Sequence, residues 1–72
     1  MLRVNWTNFG ASVRAHILAS VGNYSGTEKL LSISHARLHN AAHGKPVGTE
    51  IFLTLCHWMA VDPMHYCFEE QA

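Results

Sequence analysis

Asn23–Pro46, NYSGTEKLLSISHARLHNAAHGKP, is the stretch whose reading decides the fold. Asn23 is a good helix cap, because its side-chain oxygen can accept one of the unpaired amide protons of a first turn. Tyr24, Thr27 and Leu31 then recur at helical spacing, with Leu30 beside them. Ser32-Ile33 interrupts that run, and Ser34 can cap a second helix. In the second helix Leu38 and Ala41 face one way, with Ala42 beside them, while His35, His39 and His43 face another. Gly44 supplies the left-handed residue that ends helices, and Pro46 bars continuation. Two short helices joined by a tight turn are expected.

Upstream, Met1–Thr7 is expected to be an arm anchored by Trp6. A helix follows over about Asn8–Ser20, where Phe9, Val13 and Ile17 form one apolar stripe. Leu18 and Val21 extend the apolar surface beyond that stripe, and Gly22 ends the helix. Downstream, Gly48-Thr49-Glu50 opens another helix, with Glu50 favourably near its positive end. Ile51, Phe52, Leu55, Cys56 and Met59 make its wide apolar face, so Thr49–Ala60 is the expected main core element. Val61-Asp62-Pro63 stops and restarts the chain, since Asp62 can cap and proline suits a first helical position. A last helix over Pro63–Phe68 is expected to turn Met64, Cys67 and Phe68 inward, with His65 and Tyr66 nearer its outer side. No run alternates with period two for long enough to make a strand. The expected fold class is all-α: a compact bundle of about five short helices in one domain, residues 1–72, with 69–72 as a C-terminal tail.

Seventy-two residues make one domain near the lower limit for folding without metals or disulfides. Forty-nine per cent hydrophobic residues suffice for a small core. Two cysteines, Cys56 and Cys67, are too few for a disulfide scaffold. No apolar run approaches the roughly 20 residues that span a bilayer, so no membrane association is expected and a reducing cytoplasm is the expected compartment. Five Lys/Arg balance five Asp/Glu, with six histidines besides. Dedicated DNA-binding domains are usually basic, because phosphate neutralisation supplies much of their affinity.

Helix, short turn and helix, with the second helix polar outward, is the layout of a DNA-reading helix-turn-helix. The chain resembles the Cro/repressor-type (XRE) helix-turn-helix family of bacteria and phages over about Trp6–Phe68. Ile33-Ser34-His35-Ala36, Gly44-Lys45-Pro46-Val47, Phe52-Leu53, Leu55–Met59 and Val61-Asp62-Pro63 carry the resemblance, with Phe9-Gly10 and Arg14-Ala15-His16 in front. It implies a lambda-repressor-like bundle and a small transcriptional regulator of phage or mobile-element type. On this reading Ser34, His35 and His39 point at base edges and Arg37 pairs with guanine or phosphate. Asn40 reads adenine or holds a phosphate, and Asn23, Tyr24, Ser25 and Lys45 touch the DNA backbone. The expected partners are double-stranded DNA and a second copy of the chain, with half-sites about 34 Å apart. Ile17, Leu18 and Val21, or Tyr66 and Phe68 on the last helix, are the dimer candidates.

The chain departs from the family at telling places. Glu28 stands where relatives carry a small residue, Ser32 where they carry glycine, and Asn40-Ala41-Ala42-His43-Gly44 where they carry a charged stretch. Ile17, Leu18 and Ser20 stand where relatives tend to be polar. The alternative reading is therefore a helix-turn-helix that binds and inhibits a host protein, an antiactivator, through the same apolar candidates. Histidines four apart can share zinc or nickel, but no carboxylate or cysteine sits at a spacing that completes a site, so no metal or other cofactor is expected. Mild acid adds positive charge to a helix bearing His35, His39 and His43. No nucleophile–base pair, paired carboxylates or Gly-rich phosphate loop appears, and no enzymatic activity is expected.

Overall fold

A computed structural model describes residues 1–71. Over these residues the protein is mostly helical, with four α-helices, one 3-10 turn and a two-stranded sheet. The order is β1 (Leu2–Val4), α1 (Trp6–Ser20), α2 (Tyr24–Leu31), α3 (His35–Ala42), α4 (Thr49–Met59), a 3-10 turn (Pro63–Tyr66) and β2 (Cys67–Glu69). The all-α expectation of five helices is corrected at both ends of the chain. The expected arm is a strand from Leu2 to Val4, and the expected fifth helix is a 3-10 turn that gives way to a strand at Cys67. Most of the expected tail 69–72 continues from β2, and Ala72 lies outside the described residues.

The two strands pair antiparallel, with Leu2 opposite Glu69, Arg3 opposite Phe68 and Val4 opposite Cys67. Cross-strand ion pairs reinforce the ribbon: Arg3 Nε meets Glu70, and the Met1 amino group lies 2.6 Å from Glu69 Oε1. The Asn5 amide donates to the Tyr66 carbonyl at 2.7 Å, carrying the pairing to the first residue before α1. Tyr66 therefore points into the core, only 3 % exposed, and not outward as a helical spacing would have it. Met64 and Phe68, expected inside, are exposed, at 56 % and 48 %.

Three of the four α-helices among the described residues start with a side-chain cap. Asn5 Oδ1 accepts from the Asn8 amide at 3.0 Å, Asn23 Oδ1 from Gly26 at 2.6 Å, and Ser34 Oγ from Arg37 at 3.4 Å. Gly48 precedes α4 without a side-chain cap, and Glu50 in the first turn faces the positive end of that helix. Asp62 Oδ1 accepts from Met64 at 2.9 Å and opens the 3-10 turn.

The core gathers Phe9, Val13 and Ile17 of α1 with Leu38, Ala41 and Ala42 of α3. Phe52, Leu55, Cys56 and Met59 of α4 complete it, together with Ile33 and Tyr66. Its centre is aromatic. Phe9 meets Phe52 edge-on at 4.9 Å between ring centres and Tyr66 at 5.2 Å, and Trp6 closes the cluster 5.6 Å from Phe52. Edge-to-face rings at such distances contribute about 0.5–1.5 kcal/mol per pair beyond the area they bury. Burial also pushes the Cys56 thiol pKa upward, with Cys67 and Asp62 adding to the shift. Cys56 is accordingly a core residue with little thiolate character.

α1 lies unusually close to the end of α3. A methyl group on Gly10 would sit 2.8 Å from the Ala41 carbonyl oxygen and from the Gly44 amide nitrogen, and 3.0 Å from the Ala42 carbonyl oxygen. All three neighbours are backbone atoms, so a side chain cannot be admitted by rotation. Gly10→Ala is expected to lower stability by about 1–3 kcal/mol, the range for overpacking. A fall in the urea midpoint at unchanged slope is the readout; an unchanged midpoint would show that the two helices can separate freely.

Candidate nucleic-acid interface

α2 ends at Leu31 and α3 begins at His35, so three residues, Ser32–Ser34, make the turn between them. Ser32 adopts a left-handed conformation, φ 54° and ψ 40°, with its amide donating to the Glu28 carbonyl. Ile33 donates to the same carbonyl at 3.1 Å and tucks its side chain into the core. Ser34 then returns to extended geometry and caps α3. The turn is closed by backbone bonds and one buried apolar side chain.

α3 is held from below and open above. Leu38, Ala41 and Ala42 are fully buried, and Arg14 of α1 donates from its guanidinium to the Ala42 carbonyl, satisfying one of the orphan acceptors at the end of α3. Ser34, His35, Arg37 and His39 are exposed on the opposite side, as is Lys45 just beyond the helix. Asn40 is half-buried and joins Arg37 in a cleft of about 470 Å³, walled on its other side by Pro46–Ile51. Asn23 and Ser25 are exposed at the start of α2, where Tyr24 is half-buried. Tyr24 packs in part against the core, which leaves less of it for a ligand.

The three histidines form a ladder along this open face. The rings of His35 and His39 lie 5.6 Å apart at 28° between planes, and those of His39 and His43 lie 3.9 Å apart at 24°. His35 Nδ1 is 2.8 Å from Glu28 Oε2, and His43 Nδ1 is 3.0 Å from the His39 carbonyl. Partial withdrawal from water lowers the His43 pKa, and the charges of His39, Arg14 and Lys45 add to that shift. Positive charge therefore reaches this rung of the ladder later than it would an ordinary histidine.

The local charge differs from the zero of the whole chain. Between residues 23 and 47 stand Lys29, Arg37 and Lys45 against Glu28 alone, and Glu28 is engaged by His35. Glu69 and Glu70 are engaged at the β-ribbon, and Asp62 caps the 3-10 turn. Glu50 is the exception, since it lines the same cleft as Arg37.

The apolar candidates separate into two groups. Ile17 is fully buried beneath α1 and Tyr66 is buried in the aromatic cluster, so neither can meet a partner. Leu18 is 68 % exposed, Phe68 is exposed on the ribbon, and Val21 is half-buried. Around Leu18 the outer side of α1 presents Ala11, Ala15 and Ala19, all exposed, with exposed Arg14 one turn back. The Arg14 contact with Ala42, the Glu28–His35 contact and the edge-on His16–Trp58 pair, 4.4 Å between ring centres, are features that spacing alone did not disclose. No helix among the described residues is long and apolar enough to cross a membrane.

The left-handed Ser32 supplies a direct test of the turn. A non-glycine residue in this conformation is strained by roughly 1 kcal/mol or more, and glycine relieves that strain at some cost in unfolded-state entropy. Ser32→Gly is expected to stabilise the protein by about 0.5–1 kcal/mol. Destabilisation in a denaturant titration would place Ser32 outside the left-handed region.

Comparison of the chain with protein-family models, with characterised proteins and with solved structures finds no match.

Proposed function

We propose that this chain is a small DNA-binding transcriptional regulator that recognises a palindromic operator as a homodimer, with α2 and α3 as its helix-turn-helix. One observation carries the reading: α3 is buried along Leu38, Ala41 and Ala42 while Ser34, His35, Arg37 and His39 are exposed. A helix is about 10–12 Å across with its side chains, and the major groove of B-DNA is about 12 Å wide. Arg37 supplies a fork for guanine or phosphate, and Asn40 an amide for adenine or phosphate. Asn23, Tyr24 and Ser25 at the start of α2, with Lys45 after α3, supply backbone contacts. The surplus of cations between residues 23 and 47 supports phosphate attraction in a chain of zero net charge.

The decisive experiment is selection of bound duplexes from a random-sequence pool, followed by a salt titration of the recovered site. A palindrome bound with affinity that falls steeply as salt rises is the expected result. Arg37→Ala should weaken that binding by about 1–3 kcal/mol. Unchanged binding by the variant would remove α3 from the interface.

The outer side of α1 favours a second reading, a helix-turn-helix protein that binds and inhibits a host regulatory protein. Leu18 stands exposed there beside Ala11 and Ala15, and exposed apolar patches commonly mark interaction sites. Leu18→Glu is expected to abolish capture of such a partner while leaving the thermal midpoint within a few degrees. Loss of operator binding by the same variant would instead make the α1 face the dimer seam.

A further inference from the structure

An imidazole coordinates a metal only through a nitrogen that carries no proton, and the hydrogen bond at the other nitrogen decides which one that is. The α3 ladder settles this at two of its three rungs. The His39 carbonyl can only accept, so the Nδ1 atom of His43, 3.0 Å away, must carry the proton and leave the Nε2 lone pair free. The Glu28 carboxylate likewise accepts from His35 Nδ1 at 2.8 Å, leaving the Nε2 lone pair of the neutral ring free as well. Carboxylate and backbone carbonyl are the usual acceptors behind metal-ligating histidines, where they fix the tautomer and raise the basicity of the ligand. The ring of His39, between the two, makes no hydrogen bond among the described residues, so both of its nitrogens are available.

We propose that the exposed face of α3 binds one divalent ion of the zinc and nickel class through His39 and His43, and that the bound ion raises the affinity of this face for DNA. Two histidines four apart on one side of a helix are an established way to hold such an ion. The His39–His43 pair is the close one, with ring centres 3.9 Å apart against 5.6 Å for His35–His39. Both rings of the close pair are exposed, so side-chain rotation can bring their lone pairs to the roughly 2.0–2.1 Å that zinc requires. Among the described residues no three His, Cys, Asp or Glu side chains converge on one point. The protein therefore contributes two ligands, and water or a phosphate oxygen fills the rest of the coordination shell. Such an open site exchanges its ion readily, unlike a closed structural one.

The second half of the proposal rests on the DNA reading given above. An ion on His39 and His43 adds two positive charges near Arg14 and Lys45, in a chain whose own charges cancel. It also offers open coordination positions to a phosphate oxygen.

Calorimetric titration of ZnCl₂, and separately NiCl₂, into the purified protein without DNA tests the first half. One ion per chain is expected. His39→Gln should weaken binding at least about tenfold, because His39 belongs to both possible pairs. His43→Gln should weaken it less, since His35 and His39 remain, and His35→Gln least of all. Circular dichroism checks that the variants stay folded. No binding by the native chain, or equal binding by His39→Gln, would overturn the site. The second half is read by fluorescence anisotropy with a labelled duplex from the random pool, with and without ZnCl₂. Tighter DNA binding with zinc in the native chain, absent in His39→Gln, supports it; unchanged or weaker binding at calorimetric saturation overturns it. DNA binding measured without zinc reports on the DNA reading separately, whatever the calorimeter shows.

Discussion

The approach of α1 to the end of α3 sets the position of everything that faces solvent on the candidate interface. At Gly10 the backbone of one helix touches the carbonyls of Ala41 and Ala42 and the amide of Gly44 in the other. Four residues along, the Arg14 guanidinium takes the Ala42 carbonyl as its acceptor. The first contact fixes how near the helices lie, and the second draws a charged group to the negative end of α3. Gly44, with φ 76°, lets the chain leave α3 beside Thr7 without obstructing that contact. With α3 pinned along Leu38, Ala41 and Ala42, the remaining side of an eight-residue helix has to face water.

Local chemistry accounts for what was legible in the sequence. Asn23, Ser34 and Asp62 read as caps because their side chains act on amides two or three residues away, and the structure shows each of those bonds. The stripe Phe9–Val13–Ile17 and the apolar face of α4 read from spacing alone, because helical periodicity is a local property. The ends of the chain did not read. A three-residue strand is too short to show alternation, and β1 exists only because β2, more than sixty positions away, supplies its hydrogen bonds. That same pairing turns Tyr66 inward, against the helical spacing expected across Pro63–Phe68. The stops of α2 and α4 were read near Ser32 and Ala60, but not their geometry, since both take the left-handed conformation that composition assigns to glycine.

The candidate interface divides along the same line. Which residues α3 exposes follows from its apolar stripe, so His35, Arg37 and His39 were readable as outward. Their state was not readable, because it depends on contacts between elements. Glu28 reaches His35 from α2, seven positions back, and Arg14 reaches both the end of α3 and the surroundings of His43 from α1. The zero net charge conceals a similar division. Carboxylates at the ribbon are matched by Arg3 and the Met1 amino group, while Lys29, Arg37 and Lys45 stand in α2, α3 and the loop after them against Glu28, engaged by His35, and Glu50 in the cleft beside Arg37. For attraction of a polyanion over a screening length of about 10 Å, the local arrangement counts for more than the sum over the chain.

In both readings of function α1 holds α3 with its inner side and offers its outer side to a partner. Its inner stripe, with Gly10, holds α3 in place; its outer side exposes Ala11 and Leu18, while Ala15 and Ala19 line a cleft with Met59 and Val61. A partner seated on the outer side could influence α3 in two ways, by moving α1 or by its own bulk and charge. Movement is the costly route, because the contact at Gly10 is between backbone atoms and cannot be eased by rotating a side chain. A ligand shifts a conformational equilibrium only by its difference in affinity between two states, and a rigid backbone contact leaves few states to choose between. Any coupling between the faces should therefore act through occupancy: a second copy placing another α3 at a fixed distance, or a foreign protein standing where DNA would lie.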